Sequence, residues 1–322
     1  MRRIIISDNH EPAWNLAFEE YLIETGDDIL YLWQNQDTVV IGRNQNPYRE
    51  CNLKAMRDDN VRLVRRKSGG GAVFHDLGNL NFTLISEKKE GCAEENFSLV
   101  IRALELLGIE AQISGRNDII CNGKKISGNA FAENNGRFCH HGTLLIDVET
   151  GRLNRYLTAS PLKMKSKGID SVRSRVMNLK DINEEISVEG ICSSFEKVYR
   201  EEADAEKIEV FTLDMMKSIP KVREKAEVYE SWQWTCGESP EADIVAEEKF
   251  PWGIVQVGLT AKDGVMENVS ISTDSIICDD FQLLSKTLKG KKMQKSVIQD
   301  AIDSCIKNQQ VNQDLKSLVD SY

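Results

Sequence analysis

The residues best suited to chemistry sit in one run, Arg65-Arg66-Lys67-Ser68-Gly69-Gly70-Gly71-Ala72-Val73-Phe74-His75-Asp76, where a basic cluster leads into three glycines and then into strand-forming residues. Adjacent glycines are costly in conformational entropy, so they are expected where side chains would keep a ligand from the peptide groups. The arginines ahead of them supply charge-assisted donors for phosphate or carboxylate. Neither G-x-x-x-x-G-K-[ST] nor G-x-G-x-x-G occurs in the chain, so any nucleotide here is expected on a sheet-borne loop.

A second cluster begins at Ser114-Gly115-Arg116-Asn117-Asp118 and continues through Asn122-Gly123-Lys124-Lys125-Ile126-Ser127-Gly128-Asn129 to His140-His141-Gly142-Thr143. Asn122-Gly123 between two strand-like runs predicts a type I′ hairpin. Strict alternation then puts Lys125 with Ser127 and Asn129, and Lys124 with Ile126 and Gly128. Lys125 is the candidate catalytic group, a compact cation able to grip a carbonyl or phosphoryl oxygen as charge develops on it. Asp118 is the candidate contact for magnesium or an acceptor amine, with a turn-forming role as the plainer alternative. His75 and His141 lack metal-ligand spacing and read as pocket-shaping groups.

A third cationic element gathers Lys163, Lys165, Lys167, Arg173 and Arg175 around Gly168 without a helical apolar stripe. It is either a solvated face or a segment that closes over a hydrolysable intermediate.

These groups need elements to hold them. Trp14, Ala17, Phe18, Tyr21 and Leu22 recur at helical spacing and predict a helix over 12–24 whose apolar residues are core. Strands are expected over 29–33, 38–42, 61–66, 79–85 and 138–148, and helices over 94–107 and 186–205. Hairpin-connected strands with helices packed outside make an α+β arrangement. The acidic, proline-containing stretch 237–243 suggests a boundary, beyond which paired strands surround Lys262-Asp263-Gly264 and a helix covers 297–306.

Composition narrows the class. A formal net charge of -10 argues against nonspecific nucleic-acid binding. No run approaches the ~18 apolar residues of a membrane span, and the start is too short in apolar residues for a signal segment. Eight cysteines without a C-x-x-C pair fit reduced thiols in the cytoplasm.

At these residues the chain resembles the lipoate-protein ligase family, within the wider biotin and lipoate ligase superfamily. The likeness is carried by Pro12-Ala13-Trp14-Asn15-Leu16-Ala17-Phe18-Glu19-Glu20, Leu32-Trp33-Gln34-Asn35, the segment 38–47, the block 65–76, 123–131, 141–145, 165–176 and Trp232-Gln233-Trp234-Thr235-Cys236-Gly237-Glu238-Ser239-Pro240, so it covers residues 12 to 240. The resemblance implies a fold of mixed, largely antiparallel sheets flanked by helices, class II synthetase and biotin-ligase-like, over 1–243, with a small α+β accessory domain over 244–322. It implies a two-step reaction in which lipoate, or octanoate, and ATP with Mg2+ give an acyl-AMP that a lysine of an acceptor protein then attacks.

Lys125 would then be catalytic. Arg66, Ser68, Gly69, Gly70, Gly71, Ala72, Val73, Phe74, His75, Asn79, Gly128, His141 and Gly142 would bind lipoyl and ATP, and Asp118 would meet the magnesium. Residues 163–175 would be the adenylate-binding loop. The implied partners are apo lipoyl domains of 2-oxoacid dehydrogenases or the glycine-cleavage H protein, with the ligase a monomer that needs no nucleic acid or membrane. Cys236 departs from the family pattern, which has an aromatic there. Two rivals stay open: an ATP-independent octanoyl or lipoyl transferase working through an acyl-cysteine at Cys121 or Cys139, and an inactive relative that only binds the adenylate.

Overall fold

The computed structural model describes residues 2–115, 117–158, 176–201, 208–237, 244–262, 264–277 and 281–320. Its largest sheet runs β11-β1-β2-β6-β10-β9-β8-β7. These strands are β1 Arg2–Asp8, β2 Asp28–Trp33, β6 Asn79–Glu87, β7 Gln112–Ser114, β8 Asp118–Cys121, β9 Lys124–Asn134, β10 Arg137–Leu145 and β11 Ile208–Thr212. β1 pairs in parallel with β2 and β11, and every other neighbour is antiparallel.

Alternation along β2 explains how the sheet is covered. Leu30 and Leu32 join Leu80, Phe82 and Leu84 in a core roofed by helices α2 (Cys92–Glu105) and α3 (Val188–Glu201). Ile29, Tyr31 and Trp33 face the other way, onto α1 (Pro12–Glu24) and α4 (Pro220–Glu230). A strand buried on both faces reads as a continuous apolar run, as 29–33 does.

A second, three-stranded sheet lies on the far side of α1, in the order β4-β3-β5. β3 (Thr38–Ile41) pairs in parallel with β4 (Arg62–Arg65) and antiparallel with β5 (Val73–His75), and the glycine run joins β4 to β5. Sandwiched between two sheets, α1 has little solvent face. Ala17, Phe18 and Leu22 are buried as expected, but so are Asn15 and Glu19. Trp14 and Tyr21 only flank that core.

The third sheet is an antiparallel meander of β12 (Ile244–Phe250), β13 (Gly253–Lys262) and β14 (Val265–Thr273). With α5 (Phe281–Leu288), α6 (Lys295–Cys305) and α7 (Gln309–Asp320) it encloses its own core around Trp252, Phe281, Ile302 and Val311. It touches the rest of the chain at the glycine run, where Gly70 N–H donates to Ser275 O at 2.8 Å, and at the loop after β3, where Thr273 N–H donates to Asn44 O at 2.9 Å. Among the described residues no helix is long and apolar enough to cross a membrane, and the described cysteines are free thiols.

Candidate active site

The glycine run is folded around two arginines with different work. Arg65 is buried and donates to the carbonyls of Gly42, Arg43, Gln45, Trp234 and Thr235. It staples the loop after β3 to the single π-turn Gln233–Gly237 that contains Cys236. The expectation that both arginines face an anion is therefore corrected for Arg65. Arg66 sits inside the turn, its Nε donating to Ser68 Oγ at 3.0 Å, Nη1 to Val40 O at 3.3 Å, and Nη2 to Gly69 O at 2.6 Å and Gly71 O at 2.9 Å. Burial pushes its guanidinium down to about 10, partly offset by the Glu19 carboxylate, so it remains a cation at neutral pH.

The glycines have a different reason from the one expected. A Cβ on Gly69 would lie 2.4 Å from Ser275 O, so this residue makes room for backbone of the C-terminal unit rather than for a ligand. Gly70 takes φ +93°, a region closed to most side chains. Only Gly71 meets open space.

The β8–β9 hairpin delivers Lys125. Asn122 and Gly123 have φ of 50° and 73°, as a type I′ turn requires. The pairing then slips, Ile119 opposing Ser127 and Ile120 opposing Lys125, so Ile126 is an extra residue in β9. That bulge overturns the simple alternation. Lys125 shares a face with Gly128, where an added Cβ would stand 2.8 Å from Lys125 Nζ. Nζ pairs with Asp118 Oδ1 at 2.6 Å.

Glycine run and hairpin meet across one crevice. Arg66, Gly70, Gly71, Ala72, Val73 and His75 line one wall, and Lys125, Gly128, His141 and Gly142 another. Leu16, Trp33, Val40 and Ala130 supply apolar surface, while Asn81, Asn117, Asn129 and Thr143 add polar groups.

Some expected residues stand outside that lining. Phe74 is on the opposite face of β5 from Val73 and His75 and packs on Tyr156 with ring centres 5.3 Å apart, so its side chain forms no wall of the crevice. Ser68, Gly69 and Asn79 are behind the lining, and Asp118 reaches it only through Lys125. Lys163, Lys165, Lys167, Gly168, Arg173 and Arg175 lie outside the described residues.

Several contributors escaped the sequence reading, although signals existed. Asn81 and Thr83 alternate with the expected Asn79 along an otherwise apolar strand, and all three are buried. Glu19 is a carboxylate inside an apolar helix. Its Oε1 accepts from Thr83 Oγ at 2.6 Å and bonds His141 Nδ1 at 2.9 Å, while His141 Nε2 bonds Ser68 Oγ at 2.7 Å. Thr83 Oγ in turn accepts from Trp33 Nε1 at 3.0 Å.

Glu19, Cys139 and His141 also bring three metal-ligand atoms within 4.8 Å of one another. Hydrogen bonds already engage the carboxylate and the imidazole, and burial together with the Glu19 charge holds the Cys139 thiol well above its usual range. This cluster is satisfied without an ion.

His75 is buried and pushed down to about 3 by desolvation, reinforced by Arg66 and His141, so it is neutral at physiological pH. Asn15 fixes its proton. Asn15 Nδ2 donates to Gln34 O at 2.8 Å and to Asn35 Oδ1 at 3.1 Å, which turns Asn35 Nδ2 toward His75 Nδ1 at 3.2 Å. Nδ1 therefore accepts and Nε2 carries the hydrogen, with no partner among the described residues. Burial also raises the thiol of Cys121.

An apolar slot thus lies beside a buried arginine turn and a lysine hairpin on an α+β scaffold. The description "Lipoyl protein ligase A/B catalytic domain" matches residues 11–200, and "Bacterial lipoate protein ligase C-terminus" matches 239–320. The chain belongs to the lipoyl protein ligase A/B family. Proteins called lipoate-protein ligase A are similar along nearly their whole length. The Bdellovibrio bacteriovorus protein is 38% identical over 313 residues and the Psychrobacter cryohalolentis protein 41% over 310, each match covering 94% of this chain and 91% of the relative.

Solved structures agree. P. falciparum LipL1 in complex with lipoate is 27% identical with a TM-score of 0.84, covering 99% of both chains. A lipoate-protein ligase A bound with ATP is 25% identical with a TM-score of 0.62, covering 72% of this chain and 97% of its own. A bipartite ligase from Thermoplasma acidophilum, described with its E2 lipoyl domain, is 26% identical with a TM-score of 0.64, covering 76% and 98%.

Proposed function

We propose that this enzyme joins lipoate to ATP, releasing pyrophosphate, and passes the acyl group of lipoyl-AMP to a lysine of an acceptor protein. The observation that carries this reading is the meeting of Lys125 and the Gly70–Gly71 turn on one crevice with an apolar wall. The acyl chain lies along Leu16, Trp33, Val40 and Ala130. Its carboxylate is drawn to Lys125 and to the Arg66 guanidinium, four of whose five hydrogens are taken by Ser68, Val40, Gly69 and Gly71.

One carboxylate oxygen attacks the α-phosphorus and pyrophosphate leaves; then an acceptor amine attacks the acyl carbon, loses a proton, and AMP leaves with the electron pair of the anhydride bond. In both steps negative charge grows on oxygens beside Lys125, so the lysine favours both transition states. Asp118, paired with Lys125 at the crevice, would be the carboxylate to hold a magnesium ion, which would supply charge neutralisation on the triphosphate oxygens.

In this reading residues 163–175, which lie outside the described residues, are assigned to adenylate binding. Residues 1–243 carry the chemistry and 244–322 serve as the accessory domain. The acceptor is a lipoyl domain or an H protein, and the enzyme works as a cytoplasmic monomer. Relatives solved with lipoate, with ATP and with a lipoyl domain support this reading. The acyl-cysteine rival is disfavoured because Cys121 and Cys139 are both buried and held as thiols. Pyrophosphate release from lipoate and ATP, followed by a lipoyl mass increase on an apo lipoyl domain, tests the proposal; acylation without ATP would refute it.

A further inference from the structure

Inside this site one buried guanidinium must be aimed at the crevice. Among the described residues Arg66 has no carboxylate in hydrogen-bond contact, yet its Nε meets Ser68 Oγ at 3.0 Å, Ser68 Oγ meets His141 Nε2 at 2.7 Å, and His141 Nδ1 meets Glu19 Oε1 at 2.9 Å. Beyond Glu19 the chain of bonds runs through Thr83 Oγ to the indole of Trp33. Both Trp33 and His141 line the crevice, whereas Ser68 and Glu19 do not.

The hydrogens have one fully satisfied arrangement. Ser68 Oγ accepts from Arg66 Nε, which can only donate, so the serine O–H is directed at His141 Nε2. His141 then carries its hydrogen on Nδ1 and gives it to Glu19, whose same oxygen takes the Thr83 hydroxyl. Thr83 in turn receives the Trp33 N–H. This resembles a serine nucleophile only in its atom types. Ser68 is 2% exposed, lies behind the crevice and uses a lone pair on Arg66, so it cannot attack an acyl group.

We propose that Glu19, His141 and Ser68 are positioning residues for Arg66: they fix the guanidinium in the orientation that closes the glycine turn on Gly69 O and Gly71 O and leaves an Nη1 hydrogen for the ligand's anionic oxygens. Because the same bonds reach Trp33, the acyl wall and the anion-binding arginine are held by one network. Filling the acyl slot therefore stiffens the arginine for the nucleotide, and binding of acid and ATP is positively coupled. The inference rests on the ligase reading above.

The test uses the full chain, with Ser68→Ala, Glu19→Gln and the double variant. Lipoate affinity is measured by calorimetry in the presence and absence of a non-hydrolysable ATP analogue, and adenylation by pyrophosphate release. Ser68→Ala is expected to bind lipoate within about threefold of the parent while adenylation falls about 10- to 100-fold, the scale of a small misplacement of a reacting group. It should also lose the enhancement of lipoate binding by the analogue. The double variant should be no worse than the weaker single one, since both cut the same chain.

Losses that multiply, or full coupling retained in Ser68→Ala, would overturn the relay. If a variant misfolds, Thr83→Val in its place leaves Arg66 and Ser68 untouched and should still reduce the coupling; unchanged coupling there also overturns it. No pyrophosphate from the parent protein would instead defeat the ligase reading, so the two failures are distinguishable.

Discussion

Lys125 Nζ stands 2.6 Å from Asp118 Oδ1 across the β8–β9 hairpin, with each side chain about one-third exposed, at 34% and 35%. A pair this open contributes at most about 1 kcal/mol to stability, so its purpose is better sought in the reaction than in folding.

Lys125→Ala should therefore keep its thermal midpoint within a few degrees while both adenylation and transfer fall by about 100-fold or more, the loss expected when a charge-stabilising group is removed. Asp118→Asn should fold equally well and raise the apparent KM for magnesium-ATP. Steady-state pyrophosphate release with melting curves reads both, and full activity of Lys125→Ala would falsify its assigned role.

Gly69→Ala is the substitution that the packing forbids most clearly. Its Cβ would stand 2.4 Å from Ser275 O, a backbone atom that cannot swing aside. Overpacking of this kind costs about 1–3 kcal/mol, and the contact most easily given up is the one holding the C-terminal unit. We expect a lowered melting midpoint and faster amide exchange at Gly70, whose N–H donates to that same carbonyl. Gly71→Ala meets nothing within 4 Å and should melt like the parent.

Much of this organisation was legible in the residues. The helix expected over 12–24 is found at Pro12–Glu24, and the paired strands around Gly264 are present, because local periodicity and turn chemistry decide such elements. The Asn-Gly turn was equally readable. What alternation could not give was the bulge at Ile126, since an extra residue is set by cross-strand pairing and reverses which neighbours Lys125 keeps. Likewise the purpose of Gly69 depends on Ser275, two hundred residues away in sequence. The relay through Glu19 was hidden for a related reason: a helix covered by sheets on both sides hides its polar residues, and helical spacing alone assigns Glu19 to solvent.

The thiols provide a chemical check on the route. Cys139 is held well above the ordinary thiol range by burial and by Glu19, and burial raises Cys121 too. A thiol that stays protonated is a poor nucleophile. Cys121→Ala and Cys139→Ala should each retain pyrophosphate release and acyl transfer within about threefold, and no thioester should be trapped at either position in the parent when the reaction is quenched in acid. A hydroxylamine-sensitive acyl adduct on Cys139 would restore the transferase reading.

The buried histidines set an acid limit on the fold. His75 and His140 are both pushed down to about 3, mainly by desolvation, whereas the unfolded chain would bind protons there with a pKa of about 6.5. The unfolded state thus holds more protons between those values, and stability must rise with pH across that window. Above about 6.5 neither state is protonated and the effect is absent; as pH falls toward 3, each histidine removes up to about 1.4 kcal/mol per pH unit. Urea unfolding at pH 7.5, 6.5, 5.5 and 4.5 should show a flat region followed by a decline. His140→Gln, which can keep a bond to Asn129 Oδ1 in place of the 2.9 Å contact from Nε2, should make that decline shallower even if it lowers the plateau. An identical slope in the variant would show that His140 takes up its proton while still folded.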